Sequence, residues 1–139
     1  MERANLRQGF TMIEIMLVLL IMASLAAMSI GVVTTVRTRA QVGVAETQIQ
    51  ELSKHIEMYN VTVGNYPATD EGLEALHTCP SSVSNPDKWT RLVKKIPMDP
   101  WGQPFQYQYP SSYDAEFDIW SPGPDKINGT DDDITSWSK

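Results

Sequence analysis

Four carboxylates, Asp125, Asp131, Asp132 and Asp133, are crowded into the loop Ser121-Pro122-Gly123-Pro124-Asp125-Lys126-Ile127-Asn128-Gly129-Thr130-Asp131-Asp132-Asp133-Ile134. Like charges at this spacing repel, so an ordered loop needs a counter-charge. Only oxygen donors are on offer, which points to a hard cation. A Gly- and Pro-rich backbone with spare carbonyls suits the 6 to 8 ligands of Ca²⁺ better than the strict octahedron of Mg²⁺. The spacing is not that of an EF-hand. On composition alone an acidic, solvated tail explains the loop more simply. Stability favours the ion, because the part beyond the long helix is small, poor in aliphatics and without an internal disulfide, and domains of that kind usually need a staple. Both readings stand at this point.

A fifth carboxylate, Glu14, sits at the near end of the run Ile15–Val36, which contains 22 residues and no charge. As a helix rising about 1.5 Å per residue, that run matches a hydrocarbon layer of roughly 30 Å. An acidic group at the centre of a membrane helix costs about 2.5–3.5 kcal/mol, so Glu14 implies a partner. The simplest one is its own helix N-terminus, worth about 0.3–1 kcal/mol. His77 and Cys79 have the types of a base and a nucleophile, but they lie two residues apart in a polar loop with no third group to orient them. Cys79 is the sole cysteine and makes no internal disulfide. A formal net charge of −6, with no basic stripe or zinc spacing, excludes nucleic acid as the expected partner.

These groups must be held by a few elements. No proline interrupts Met12 to Asn60, and from Val42 onward apolar residues recur at Ala45, Ile49, Leu52, Ile56 and Tyr59. Spacings of three and four predict one long helix, apolar in its first half and amphipathic in its second. Gly31 and Gly43 are its weak points, at about 1 kcal/mol each relative to alanine. Val63-Gly64-Asn65-Tyr66-Pro67 ends it. A short helix over Glu71–Leu76, capped by Thr69 or Asp70, is expected next, then a surface loop from His77 to Lys88. The turn Asp99-Pro100-Trp101-Gly102-Gln103-Pro104 precedes two alternating runs, Phe105–Tyr109 and Glu116–Trp120, which predict an antiparallel hairpin packed on the amphipathic helix. The fold class expected is α+β.

The leader Arg7-Gln8-Gly9-Phe10-Thr11-Met12-Ile13-Glu14 resembles the processing site of type IV pilins and pseudopilins. More specifically, Glu71–Leu76, Asp99–Pro104 with Tyr107, Phe117–Ser121, Gly123-Pro124-Asp125, Gly129-Thr130, Asp132-Asp133-Ile134 and Trp137 resemble the major pseudopilins of type II secretion, the general secretion pathway protein G family. The resemblance implies a type IV pilin-like fold and cleavage by a prepilin peptidase between Gly9 and Phe10, with N-methylation of Phe10. It implies that Glu14 pairs with an α-amine of the same or a neighbouring subunit during assembly. It also implies Ca²⁺ held by Asp125, Asp132 and Asp133 together with backbone carbonyls. Lys126, where the family often has glycine, and Asp131, where glutamate is common, depart from the pattern.

On this reading residues 1–9 are a cleaved leader and 10–36 a transmembrane and filament-core helix. Residues 37–62 continue it as an amphipathic helix, and 63–139 form the periplasmic globular part. The expected location is the bacterial inner membrane, single-pass, with assembly into a periplasmic homopolymeric filament. Minor pseudopilins, an inner-membrane assembly platform, a secretin and inner-membrane lipid are the implied partners. No enzymatic activity is implied. Two rivals are a surface type IV pilin, which more often carries a C-terminal disulfide loop, and a periplasmic enzyme whose signal peptide is cut at Ser24-Leu25-Ala26 or at the Ala26-Ala27 pair.

Overall fold

The structure is a computed structural model that describes residues 9–113 and 115–137, with residues 28–35 described by their backbone only. Positions 1–8 of the expected leader lie outside the described residues. The chain divides into two compact units, one ending at Arg37 and the other beginning at Thr38.

A single helix, α1, runs Met12–Val63 and passes through both Gly31 and Gly43. It begins two residues later than the expected boundary at Phe10. Thr11 stands at the N-cap, its hydroxyl and carbonyl both accepting from the Glu14 amide, at 3.3 and 3.1 Å. A Thr with Glu three positions on is the sequence of a capping box, which fixes where the first turn starts. Gly64 ends the helix at φ +99, its amide donating to the Asn60 carbonyl at 2.8 Å, a conformation that suits glycine alone without strain.

The two ends of α1 have different surroundings. From Met12 to Leu25 the large apolar side chains are exposed all round, from Val18 and Ile21 at 47% to Met12 at 83%. Ala45, Ile49, Leu52, Ile56 and Tyr59 are instead buried on one face, as the three-and-four spacing predicts. Among the described residues no helix is long and apolar enough to cross a membrane. Part of the run expected to do so, residues 28–35, lies outside the described side chains.

The second unit covers the buried face of α1 with a three-stranded antiparallel sheet in the order β1 (Gln106–Gln108), β2 (Asp118–Ser121) and β3 (Ile134–Thr135). The expected hairpin forms, with Tyr107 opposite Ile119. Phe105, Tyr107, Phe117 and Ile119 join Leu52, Ile56 and Tyr59 in one core. The fold is therefore α+β, and β3 is an addition to it. β3 pairs Ser121 with Ile134, and Ser136 seals the junction by donating its amide to the Ile119 carbonyl (2.8 Å) and accepting the Ile119 amide on its hydroxyl (2.9 Å).

The short helix expected over Glu71–Leu76 is a 3₁₀ turn, Gly72–Leu76, and neither Thr69 nor Asp70 caps it. Its N-cap is Glu71, which makes no side-chain cap bond. Thr69 is drawn away by a longer-range partner, its hydroxyl donating to the Tyr109 carbonyl at 2.7 Å and accepting the Tyr109 amide at 2.9 Å. The polar loop after it is not purely a surface loop, because Val83 reaches the core and Pro86–Lys88 adds a second 3₁₀ turn. The Tyr107 hydroxyl donates to the Pro67 carbonyl at 2.9 Å inside the core, and burial pushes its pKa well above the ordinary tyrosine value.

Candidate functional site: an acidic loop and an exposed apolar helix

The acidic loop is built on β2. Ser121, the last residue of β2, is fully buried, and Pro122 and Gly123 after it are buried too. Gly123 turns the chain at φ +69, with its α-carbon pressed against the Asp132 backbone carbonyl, so that a side chain would collide with it. Lys126 is the one described non-glycine residue at positive φ, +63. This conformation explains why glycine suits the position and why lysine there carries backbone strain.

The carboxylates that follow are tied to the loop itself. The Asp125 amide donates to Asp132 Oδ2 at 3.2 Å, and the Ile127 amide to Asp125 Oδ1 at 2.8 Å. Asp133 Oδ2 accepts from the Gly129 amide at 2.8 Å. The Thr130 hydroxyl lies between the last two acids, 2.6 Å from Asp132 Oδ1 and 3.4 Å from Asp133 Oδ1. The Thr130 hydroxyl, with help from the Asp125 amide, holds the Asp132 carboxyl below the usual carboxylate range. The loop thus favours its charged form through local donors.

The donor chemistry fits a hard cation, since every side chain the loop brings together offers carboxylate, hydroxyl or carbonyl oxygen. The convergence does not: among the described residues no three His, Cys, Asp or Glu side chains gather closely enough to hold a metal ion. Asp132 is linked to Asp125 and, through Thr130, to Asp133, and the loop borders two clefts. One is a cleft of about 410 Å³ between the loop and α1, lined by Val42, Glu46, Asp131, Asp132 and Asp133 among others. Asp133 also borders the second, a cleft of about 300 Å³ with Tyr113, Trp120 and Trp137. There Tyr113 and Trp137 stack at 4.3 Å, Trp137 meets Trp120 edge-on at 5.9 Å, and Trp120 Nε1 donates to Asn128 Oδ1 at 2.9 Å.

Two residues that the sequence presented only as turn and loop positions turn out to support the loop from inside. Asp99 is buried, with Oδ1 accepting the Trp101 and Gln103 amides at 3.0 and 2.7 Å and Oδ2 accepting the Ser121 hydroxyl at 2.6 Å. The Asp-Pro-Trp-Gly motif was the visible sign of Asp99, but its tie to Ser121, 22 positions on, has no local signature. His77 and Cys79 do not form a reactive pair. The His77 ring meets the Val93 carbonyl at 3.2 Å, and the Cys79 thiol donates to the Pro80 carbonyl at 3.7 Å.

At the other end of the chain, Gly9 and Phe10 are exposed and lie outside the helix, immediately before the Thr11 cap, with Phe10 80% accessible. Glu14 is exposed in the first turn of α1. Ser24 to Ala27, the rival cleavage region, lies well inside the helix, with the Ser24 hydroxyl donating to the Ile21 carbonyl at 2.8 Å.

Residues 32–137 match the family described as type II secretion system (T2SS), protein G, and residues 4–30 match the prokaryotic N-terminal methylation motif. The type II secretion system core protein G of Pseudomonas aeruginosa is 39% identical over 136 residues, covering 94% of this chain and 95% of that protein. The protein of the same description from Escherichia coli K12 is 34% identical over 140 residues, covering 99% and 95%. The crystal structure of the major pseudopilin from the type 2 secretion system of enterohaemorrhagic Escherichia coli superposes with a TM-score of 0.67 at 31% identity, covering 75% of this chain and 92% of that one.

Proposed function

The chain belongs to the type II secretion system protein G family, the major pseudopilins, and from that premise we propose how its parts act in a secretion filament. It is a structural subunit and not an enzyme. The apolar half of α1 first holds the subunit in the inner membrane, with the second unit in the periplasm. The same surface then passes from lipid to a bundle of neighbouring copies. A head-to-tail contact of this type gives an open helical polymer rather than a closed ring. The filament grows from an inner-membrane assembly platform, carries minor pseudopilins and drives folded proteins through an outer-membrane secretin. The observation that supports this most is the exposure of every large apolar side chain described between Met12 and Leu25, a surface that needs lipid or other copies to cover it.

A prepilin peptidase cuts between Gly9 and Phe10 and the new N-terminus is methylated. The exposed Gly9-Phe10 segment ahead of the helix cap supports access to that bond. Mass spectrometry of the protein purified from membranes is expected to find a chain starting at N-methylated Phe10. A mature start near Ala27 would remove the apolar half of α1 and overturn the filament reading.

Asp125, Asp132 and Asp133, with backbone carbonyls of the loop, hold Ca²⁺ when it is bound. Such an ion would supply the positive charge that the adjacent carboxylates lack. Stabilisation by a ligand at 100 times its Kd is about 2.7 kcal/mol. For a unit of this size that raises Tm by about 10 °C or more. Thermal melts of the full chain in detergent, with Ca²⁺ and with a chelator, are expected to differ by that amount. Coincident curves would return the loop to an acidic surface segment.

A further inference from the structure

We infer that Asp99 and Ser121 form a buried latch that positions the acidic loop from behind and fastens it to the turn lying on α1. The latch joins hydrogen bonds through one turn of backbone and ends in a packing contact. On the helix side the Gln41 side-chain amide donates to the Pro100 carbonyl at 3.3 Å, and that of Gln48 reaches the Met98 carbonyl at 3.5 Å. Asp99 stands between those two carbonyls and closes its own turn, its amide donating to the Gln103 carbonyl at 2.8 Å. The second carboxylate oxygen of Asp99 takes the Ser121 hydroxyl, and the Ser121 oxygen in turn accepts the Gly123 amide at 3.1 Å. Gly123 is the residue packed on the Asp132 backbone.

Asp99 is 4% exposed and Ser121 is inaccessible, so water does not substitute for either partner. A carboxylate is required here because three donors converge on it, and charge-assisted bonds of this sort are the strong ones. Removing one partner from such a buried set leaves the other unsatisfied, which costs more than the bond itself contributes. Asp99 and Ser121 touch no proposed ligand atom. They act through Gly123 and the Asp132 backbone, and are positioning residues for the loop. What the loop then holds rests on the Ca²⁺ reading, whereas the latch itself does not.

The test separates a local latch from general stability. Ser121→Ala is compared with Ser111→Ala, which breaks a similar bond, Ser111 Oγ to the buried Asp118 Oδ1 at 2.5 Å, on the far side of β2. Hydrogen exchange of the full chain in detergent is followed in chelator and in Ca²⁺. In chelator Ser121→Ala is expected to speed exchange of amides 123–133 at least tenfold, with α1 amides unchanged, while Ser111→Ala leaves 123–133 within twofold of the parent. In Ca²⁺, Ser121→Ala is expected to weaken the apparent Kd at least tenfold and Ser111→Ala to leave it within twofold. Equal acceleration by both variants, or none at 123–133, overturns the latch. A parent chain whose exchange ignores Ca²⁺ overturns the cation reading alone, since the chelator arm still judges the latch. Should Ser121→Ala not fold, Asp99→Asn is subjected to the same comparison, because it keeps the shape and one acceptor oxygen for the turn amides.

Discussion

Chains carrying Glu14→Ala are expected to reach the membrane and accumulate there as subunits that do not enter filaments. Two roles compete for this carboxylate. As the third residue of α1, Glu14 favours the helix N-terminus by about 0.3–1 kcal/mol, and the Thr11 hydroxyl accepts its amide. That role needs only the backbone amide and a mild negative charge. A partner amine in an apolar surrounding is worth more, because removing one member of a desolvated pair leaves the other charge uncompensated, at about 3–5 kcal/mol. The loss recurs at every added subunit, and about 1.4 kcal/mol is already tenfold in each association constant.

Glu14→Gln is therefore expected to fail like Glu14→Ala, although it keeps the size of the side chain. Thr11→Ala is expected to cost about 1 kcal/mol at the helix start and leave assembly largely intact. The check is the amount of filament sheared from cells or cross-linked in the envelope, at matched subunit levels. Filament from Glu14→Gln at the level of the parent would assign Glu14 to the helix cap alone.

Gly123→Ala is expected to be the most damaging methyl group in the second unit. The left-handed backbone at φ +69 costs a non-glycine residue about 1–2 kcal/mol. The new methyl also meets the Asp132 carbonyl, a backbone atom that moves only if the loop moves, and lies 3.5 Å from Ile134 Cδ1. Because Ile134 pairs with Ser121, a shift of the loop pulls on β3 as well. Together these give a loss of about 3–4 kcal/mol, which corresponds to a fall in Tm of more than about 10 °C. Gly129→Ala is the control. Its φ of +87 gives the same kind of strain with nothing within 4 Å of the added carbon, so a loss of about 1–2 kcal/mol is expected. Equal melting temperatures for the two variants would mean that the contact with Asp132 is not tight.

The helix and the hairpin were legible because both announce themselves by period. The stripe from Ala45 to Tyr59 repeats at helical spacing without a proline, and Phe105–Tyr109 and Glu116–Trp120 alternate as strands do. β3 was not legible, since Ile134–Thr135 is too short to show a period and follows a run of aspartates. Thr69 had the chemistry of a cap, but a partner 40 positions away took its hydroxyl, a competition decided by tertiary structure. In the loop, the types of the ligands were visible and their directions were not, because Asp125, Asp132 and Asp133 each accept from donors within a few residues. The lysine at 126 was visible as a departure from a glycine pattern, and its left-handed backbone gives the reason for the pattern.

The aromatic trio beside the loop has an optical consequence. Two indoles crossed at 69° and a phenol stacked on one of them form a fixed chiral array of chromophores, and one indole is moored to Asn128. Such an array gives near-ultraviolet circular dichroism that depends on the rings staying fixed and is lost when their packing is lost. The molecule therefore carries its own gauge of loop geometry, readable in solution without a dye or a label.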